Sequence, residues 1–128
     1  MKGNARLLMM ASALVLGAAG LVASFAPVEL LGSLGAPAAE PLPVLIQLLG
    51  VLYFAFAMTN WMAKDSMIGG IYARPLSVGN FVHFVMGALA LAKQQLAHGP
   101  SLPVGAVLVV YAVFAVLFGR FLFGRGPA

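Results

Sequence analysis

Four stretches of this chain run for about twenty residues with almost no charge in them, and each therefore needs a solvent other than water. They are Leu7–Ala26, Val44–Met62, Leu76–Ala92 (with Ala97 as the longer limit) and Val104–Phe123. Crossing the hydrocarbon core of a bilayer takes roughly 20 apolar residues at about 1.5 Å rise each. The first stretch holds no charged residue, and the last is broken only by Arg120 near its end. A long cationic side chain at that position can reach the headgroups. Proline falls at or beyond the ends of the stretches, at Pro27, Pro37, Pro41, Pro43, Pro75, Pro100 and Pro103. That is where a residue that breaks helices belongs.

Composition agrees. Apolar residues make up 62% of the chain and charged residues 8%, against roughly 25% charged in soluble globular chains. The expected fold is all-α, one integral membrane domain over residues 1–128 built as a four-transmembrane-helix bundle. Net charge is +4, but the cations stand singly beside apolar stretches. They read as orientation signals, and no nucleic-acid partner is expected. The absence of cysteine excludes disulfides, thiolate metal sites and cysteine nucleophiles.

Orientation follows from the same cations. With the N-terminus inside, the inner segments carry Lys2, Arg6, Lys64, Arg74, Arg120 and Arg125, and the outer segments carry Lys93 alone. The positive-inside rule then places both termini in the cytoplasm. Trp61 and Tyr72 flank the inner loop, as interfacial aromatics do. Lys2, Arg6 and Ser24-Phe25-Ala26 partly match a cleaved signal peptide. The apolar run is longer than a signal core and Pro27 would follow the cut, so the segment is expected to stay. The outer stretch Pro27–Pro43 reads as a Pro/Gly-rich loop, with a short amphipathic turn on the membrane surface as the alternative.

Small residues mark the faces that let helices approach closely. Ala13, Gly17, Gly20 and Ser24 do so on the first span. Gly105, Ala112 and Gly119, with Ala115 beside them, do so on the fourth, where a seven-residue repeat predicts a seam at small crossing angle.

Polar residues at membrane depth are the candidates for function. Asn80, His83, Gly87 and Gln94 fall within about 60° of one another on the third span and are expected to face inward. On the second span Gln47, Gly50, Phe54, Ala57 and Trp61 share a face, with Tyr53 and Asn60 to its flank. Antiparallel spans would bring Asn60, Asn80 and His83, with Arg74 and Tyr53, toward one cytoplasmic-side site beneath the loop Lys64–Pro75 and its Gly69-Gly70 pair. The bland reading is that Asn60, Asn80 and His83 hydrogen-bond neighbouring helices, at about 0.6 kcal/mol each. No metal site is expected, since His83 and His98 lie a membrane thickness apart and a site needs convergent ligands. There is no catalytic triad, phosphate loop or H-E-x-x-H. No acid lies within a span, which disfavours proton-coupled transport. Asp65, beside Lys64, reads as a solvated charge.

The run Asn60-Trp61-Met62-Ala63-Lys64, then Ile68-Gly69-Gly70-Ile71-Tyr72-Ala73-Arg74-Pro75, Gly79-Asn80-Phe81 and His83-Phe84, resembles small four-helix bacterial inner-membrane proteins of the DoxX-like kind. So does the basic Arg6 ahead of a Gly-rich first span. The resemblance implies fold and inner-membrane location, and no activity. The function expected is non-enzymatic: an accessory or assembly subunit of a membrane complex, or a self-associating bundle. The alternative is a binder of a small hydrophobic ligand, lipid or quinone/redox cofactor using Asn60, Asn80, His83, Tyr53 and Arg74. A small transporter or pore is the third reading. The sequence names no cofactor.

Overall fold

The computed structural model describes residues 2–65 and 73–124. Gly69, Gly70, Tyr72 and Arg125, which carry part of the loop and orientation arguments, lie outside the described residues. The chain is helical, with no strand among the described residues: α1 (Lys2–Phe25), α2 (Pro27–Ser33), α3 (Leu42–Met62), α4 (Arg74–His98) and α5 (Leu102–Phe123). Four of these are long and apolar enough to cross a membrane.

Proline sets the helix starts. Each of α2, α3, α4 and α5 carries one in its first two positions: Pro27, Pro43, Pro75 and Pro103. The missing N–H costs nothing there, because first-turn amides have no carbonyl to meet, and φ is already helical. The sequence placed Pro43, Pro75 and Pro103 just outside the spans; they belong to the first turns. Two further boundaries differ. α1 begins at Lys2 rather than Leu7, and α4 runs on to His98, past Ala92 and close to the longer limit at Ala97. A charge ends an apolar count but not a helix, and Lys93, Gln94, Gln95, Leu96 and Ala97 include good helix formers.

The stretch read as a plain loop contains α2. Gly35, at φ 72°, closes that helix. The Ala36 N–H donates to the Leu31 carbonyl at 2.9 Å and the Gly35 N–H to the Gly32 carbonyl at 3.1 Å. These are the 6→1 and 5→2 bonds of a Schellman cap, which needs a left-handed residue at Gly35.

The chain divides into two compact units, Met9–Asp65 and Met1–Leu8 with Ser66–Ala128. In the first, α1 meets α3 through glycine. A Cβ on Gly20 would stand 2.7 Å from Phe54 N and 2.8 Å from the Gly50 carbonyl oxygen. One on Gly50 would stand 2.6 Å from Ser24 N. Backbone therefore lies on backbone, as the small residues Gly17, Gly20 and Ser24 led one to expect. The buried positions of α3 are Pro43, Gly50, Ala57 and Asn60. Asn60 thus sits in the buried stripe rather than on its flank, whereas Phe54 and Trp61 are exposed. The expected face was centred too far round: the stripe follows the glycine contact, and bulky rings cannot enter it. α2 packs on α3, and its buried residues are Pro27 and Leu31.

In the second unit α4 packs along α5. This seam is aromatic more than small. Phe84 is fully buried and stacks on Phe114 with centroids 4.9 Å apart, on Phe118 at 5.9 Å, and edge-on to Tyr111 at 5.1 Å. Gly119 admits the Phe81 ring, and Gly105 sits against the Gln95 side chain. Ala112 is exposed, so the seven-residue line through Gly105, Ala112 and Gly119 is not the contact itself; Tyr111, Phe114, Ala115 and Phe118 are the buried positions. The turn between the helices is closed by one side chain. Gln95 Oε1 accepts from the Ser101 N–H at 2.8 Å, and Gln95 Nε2 donates to the Ser101 carbonyl at 3.2 Å.

Candidate functional site

In the Met9–Asp65 unit the polar centre is Asn60 with Ser12, both fully buried. Asn60 Nδ2 donates to Ser12 Oγ at 3.0 Å, and Ser12 Oγ donates to the Met9 carbonyl at 3.0 Å. A chain of donors thus runs from α3 through the Ser12 hydroxyl into the backbone of α1. Each bond made inside apolar surroundings avoids the larger cost of a buried, unsatisfied group. Tyr53 lies on α3 and is half-buried. Near the end of α3, Lys64 Nζ lies 4.8 Å from the centroid of the Trp61 ring and 3.8 Å from the Asp65 carboxylate. The Asp65 side chain is 65% exposed, so this ion pair contributes at most about 1 kcal/mol.

In the second unit Asn80 and Ser77 are buried one turn apart on α4. Asn80 Nδ2 donates to the Leu76 carbonyl at 2.9 Å and Ser77 Oγ to the Ala73 carbonyl at 3.1 Å. Both bonds return to the preceding turn of their own helix, the usual way for short polar side chains to be satisfied in a helix interior. His83 is half-buried, its ring 5.1 Å from that of Tyr111 and 5.0 Å from that of Phe84. Gly87, one turn beyond His83, makes room for Tyr111: a Cβ there would fall on the tyrosine ring, 2.6 Å from Cδ2.

Of the face expected on the third span, then, Asn80 is buried, His83 and Gly87 are half-buried, and Gln94 is exposed. A helix drifts about 20° per heptad against a strict seven-residue line. Two heptads past Asn80, it is the neighbouring Gln95 that turns to α5. Arg74 opens α4 and is exposed. Asn60 and Tyr53 belong to one unit, and Arg74, Asn80 and His83 to the other.

Three participants were not singled out in the sequence: Ser12, Ser77 and Tyr111. Ser77 had a readable signal, lying three residues before Asn80 and hence on the same face. Ser12 had a fainter one, as a hydroxyl inside the first apolar stretch; only its partner on α3 gives it a role. Tyr111 had none beyond being a phenol at span depth.

Chemically the arrangement is that of packing and alignment. Among the described residues there is no group of three or more His, Cys, Asp or Glu that could hold a metal ion. Nor, among them, does a nucleophile, base and acid set assemble within either unit. Comparison with family models, with curated proteins and with solved structures finds no match to this chain.

Proposed function

We propose that the chain is a multi-pass membrane protein, crossing a bacterial inner membrane four times with both termini cytoplasmic, and that it works as a non-enzymatic accessory or assembly subunit. The observation carrying this reading is where its apolar surface lies. All four long helices leave large apolar side chains uncovered: Leu14 and Leu21 on α1, Leu48 and Leu52 on α3, Met86 and Leu89 on α4, Val109 and Val116 on α5. Contiguous apolar surface on that scale belongs against lipid or other helices, not water. Meanwhile Asn60, Asn80, Ser12 and Ser77 bond to helices of the chain itself. The cation distribution supports the orientation, and the DoxX-like pattern around Asn60–Lys64 and Gly79–Phe84 supports the location.

Native mass spectrometry of the protein released gently from its own membrane tests the role. Co-migrating subunits of other sequence are the expected result. A lone chain or homo-oligomer carrying an added small mass overturns the accessory role.

The second reading is a binder of a lipid-like or quinone/redox ligand on the cytoplasmic side, centred on His83 within the Ser66–Ala128 unit. The observation in its favour is the half-buried His83 imidazole against the Tyr111 ring. It requires a chromophore or extractable ligand that disappears in His83→Ala.

A further inference from the structure

Helix α2 is too short to span anything. Its seven residues extend about 10 Å against a hydrocarbon core of about 30 Å. It follows α1 after the single non-helical residue Ala26, so it begins at the end of a membrane-length helix. At about 100° per residue, its side chains sort cleanly around Leu31. Leu31 is buried, as is Pro27 about 40° round from it, and the helix packs on α3. Val28, and Leu34 at the C-cap, lie about 60° to either side of it, and Glu29 and Ser33 about 160° to either side. Val28 is 50% exposed and Leu34 47% exposed, while Glu29 and Ser33 are exposed on the far side.

Exposed apolar residues also mark α1 up to its end. Leu14, Leu21 and Val22 are uncovered along that helix, and Phe25 at its last position is 84% exposed. Val28 follows Phe25 by three residues, across the junction at Ala26. A helix with an apolar arc, a polar back and no span of its own is the form that lies in the plane of a membrane interface. Resting on the membrane-spanning reading above, we propose that α2 is an interfacial helix. Its flanks Val28 and Leu34, with Phe25, enter the acyl boundary of the leaflet opposite Lys64, and Glu29 and Ser33 face water. The partner is the lipid surface itself, because α2 starts one residue after the end of a membrane-length helix whose apolar side chains stay uncovered to its last position.

The chain has no cysteine, so single spin labels can be placed without any background change. Val28→Cys, Glu29→Cys, Ser33→Cys and Leu34→Cys are made in the full chain, with Val109→Cys on α5 as the reference for a spanning position. Each is labelled and reconstituted in phosphatidylethanolamine–phosphatidylglycerol vesicles. Collision with oxygen, which concentrates in lipid, is compared with collision with a water-soluble nickel chelate. The expected result is an oxygen-to-nickel ratio severalfold higher at 28 and 34 than at 29 and 33, and highest at 109. Equal ratios at all four α2 positions with a high ratio at 109 overturn the interfacial helix and leave the spanning reading intact. Labels at 28 and 34 shielded from both reagents also overturn it, since protein rather than lipid would then cover that face. A low ratio at 109 overturns both.

Discussion

Asn60 illustrates how little of a buried polar residue's role is written in its identity. Its side chain is fully buried and held through Ser12 to the backbone of α1. Replacing it by alanine should cost about 0.6 kcal/mol and no more than about 1.7 kcal/mol, the range for interhelical hydrogen bonds in membrane proteins. Reversible unfolding in mixed detergent micelles reads this, and Ser12→Ala combined with Asn60→Ala should lose less than the sum of the single losses. Gly87 makes the opposite case, a residue that matters for what it lacks. Gly87→Ala should destabilise by about 1–3 kcal/mol through overpacking, because the added methyl meets the Tyr111 ring. Gly87→Ala combined with Tyr111→Ala should lose less than the sum of the two single losses, as measured by the same unfolding titration. The sequence singled out Asn60 and Asn80, which are fully buried, and His83, which is half-buried. It did not find Ser12 or Tyr111, because a hydrogen bond or a ring contact between distant residues leaves no local pattern.

Elements were legible where the chain is monotonous and misread where it is punctuated. The four long apolar helices follow from hydropathy alone. Helix α2 did not, although its brackets are in plain view: Pro27 at the first position and Gly35 just past the end. The same two residue types that mark a loop also mark a short helix, and only their order, proline first and glycine last, separates the two. Two substitutions should divide accordingly. Gly35→Ala is forced into a left-handed conformation and should cost about 1–2 kcal/mol. Gly32→Ala, which meets nothing within 4 Å, should be neutral or stabilising by up to about 1 kcal/mol. Thermal unfolding in detergent, read by circular dichroism, distinguishes them. Between α1 and α3 the small-residue pattern was a sound guide, since Gly20 and Gly50 lie backbone to backbone. Between α4 and α5 it was a partial guide: Gly105 and Gly119 meet side chains of α4 and Ala115 is buried, but Ala112 is exposed and rings fill most of the seam.

For the whole molecule, charge is the quantity that decides. Lys64 follows the end of α3, Arg74 opens α4 and Arg120 lies in the last turn of α5, whereas Lys93 lies near the end of α4. A reporter active only in the cytoplasm, fused after Ala128, should be active, and one active only in the periplasm should be silent; the reverse pattern would invert the orientation. On the membrane-spanning reading proposed above, the short turn between α4 and α5 has a consequence for how the chain enters the bilayer. α4 carries Ser77, Asn80, His83, Lys93, Gln94 and Gln95, whereas α5 holds one charge and no amide. A segment with that polar load partitions weakly by itself. Followed in sequence by a far greasier helix, it can be delivered as half of a hairpin. A glycan acceptor carried on a spacer after Gly99 should therefore be modified poorly by microsomes when the chain ends there, because α4 stays largely outside the bilayer. Restoring the chain through Phe123 behind the same spacer should raise the modification severalfold.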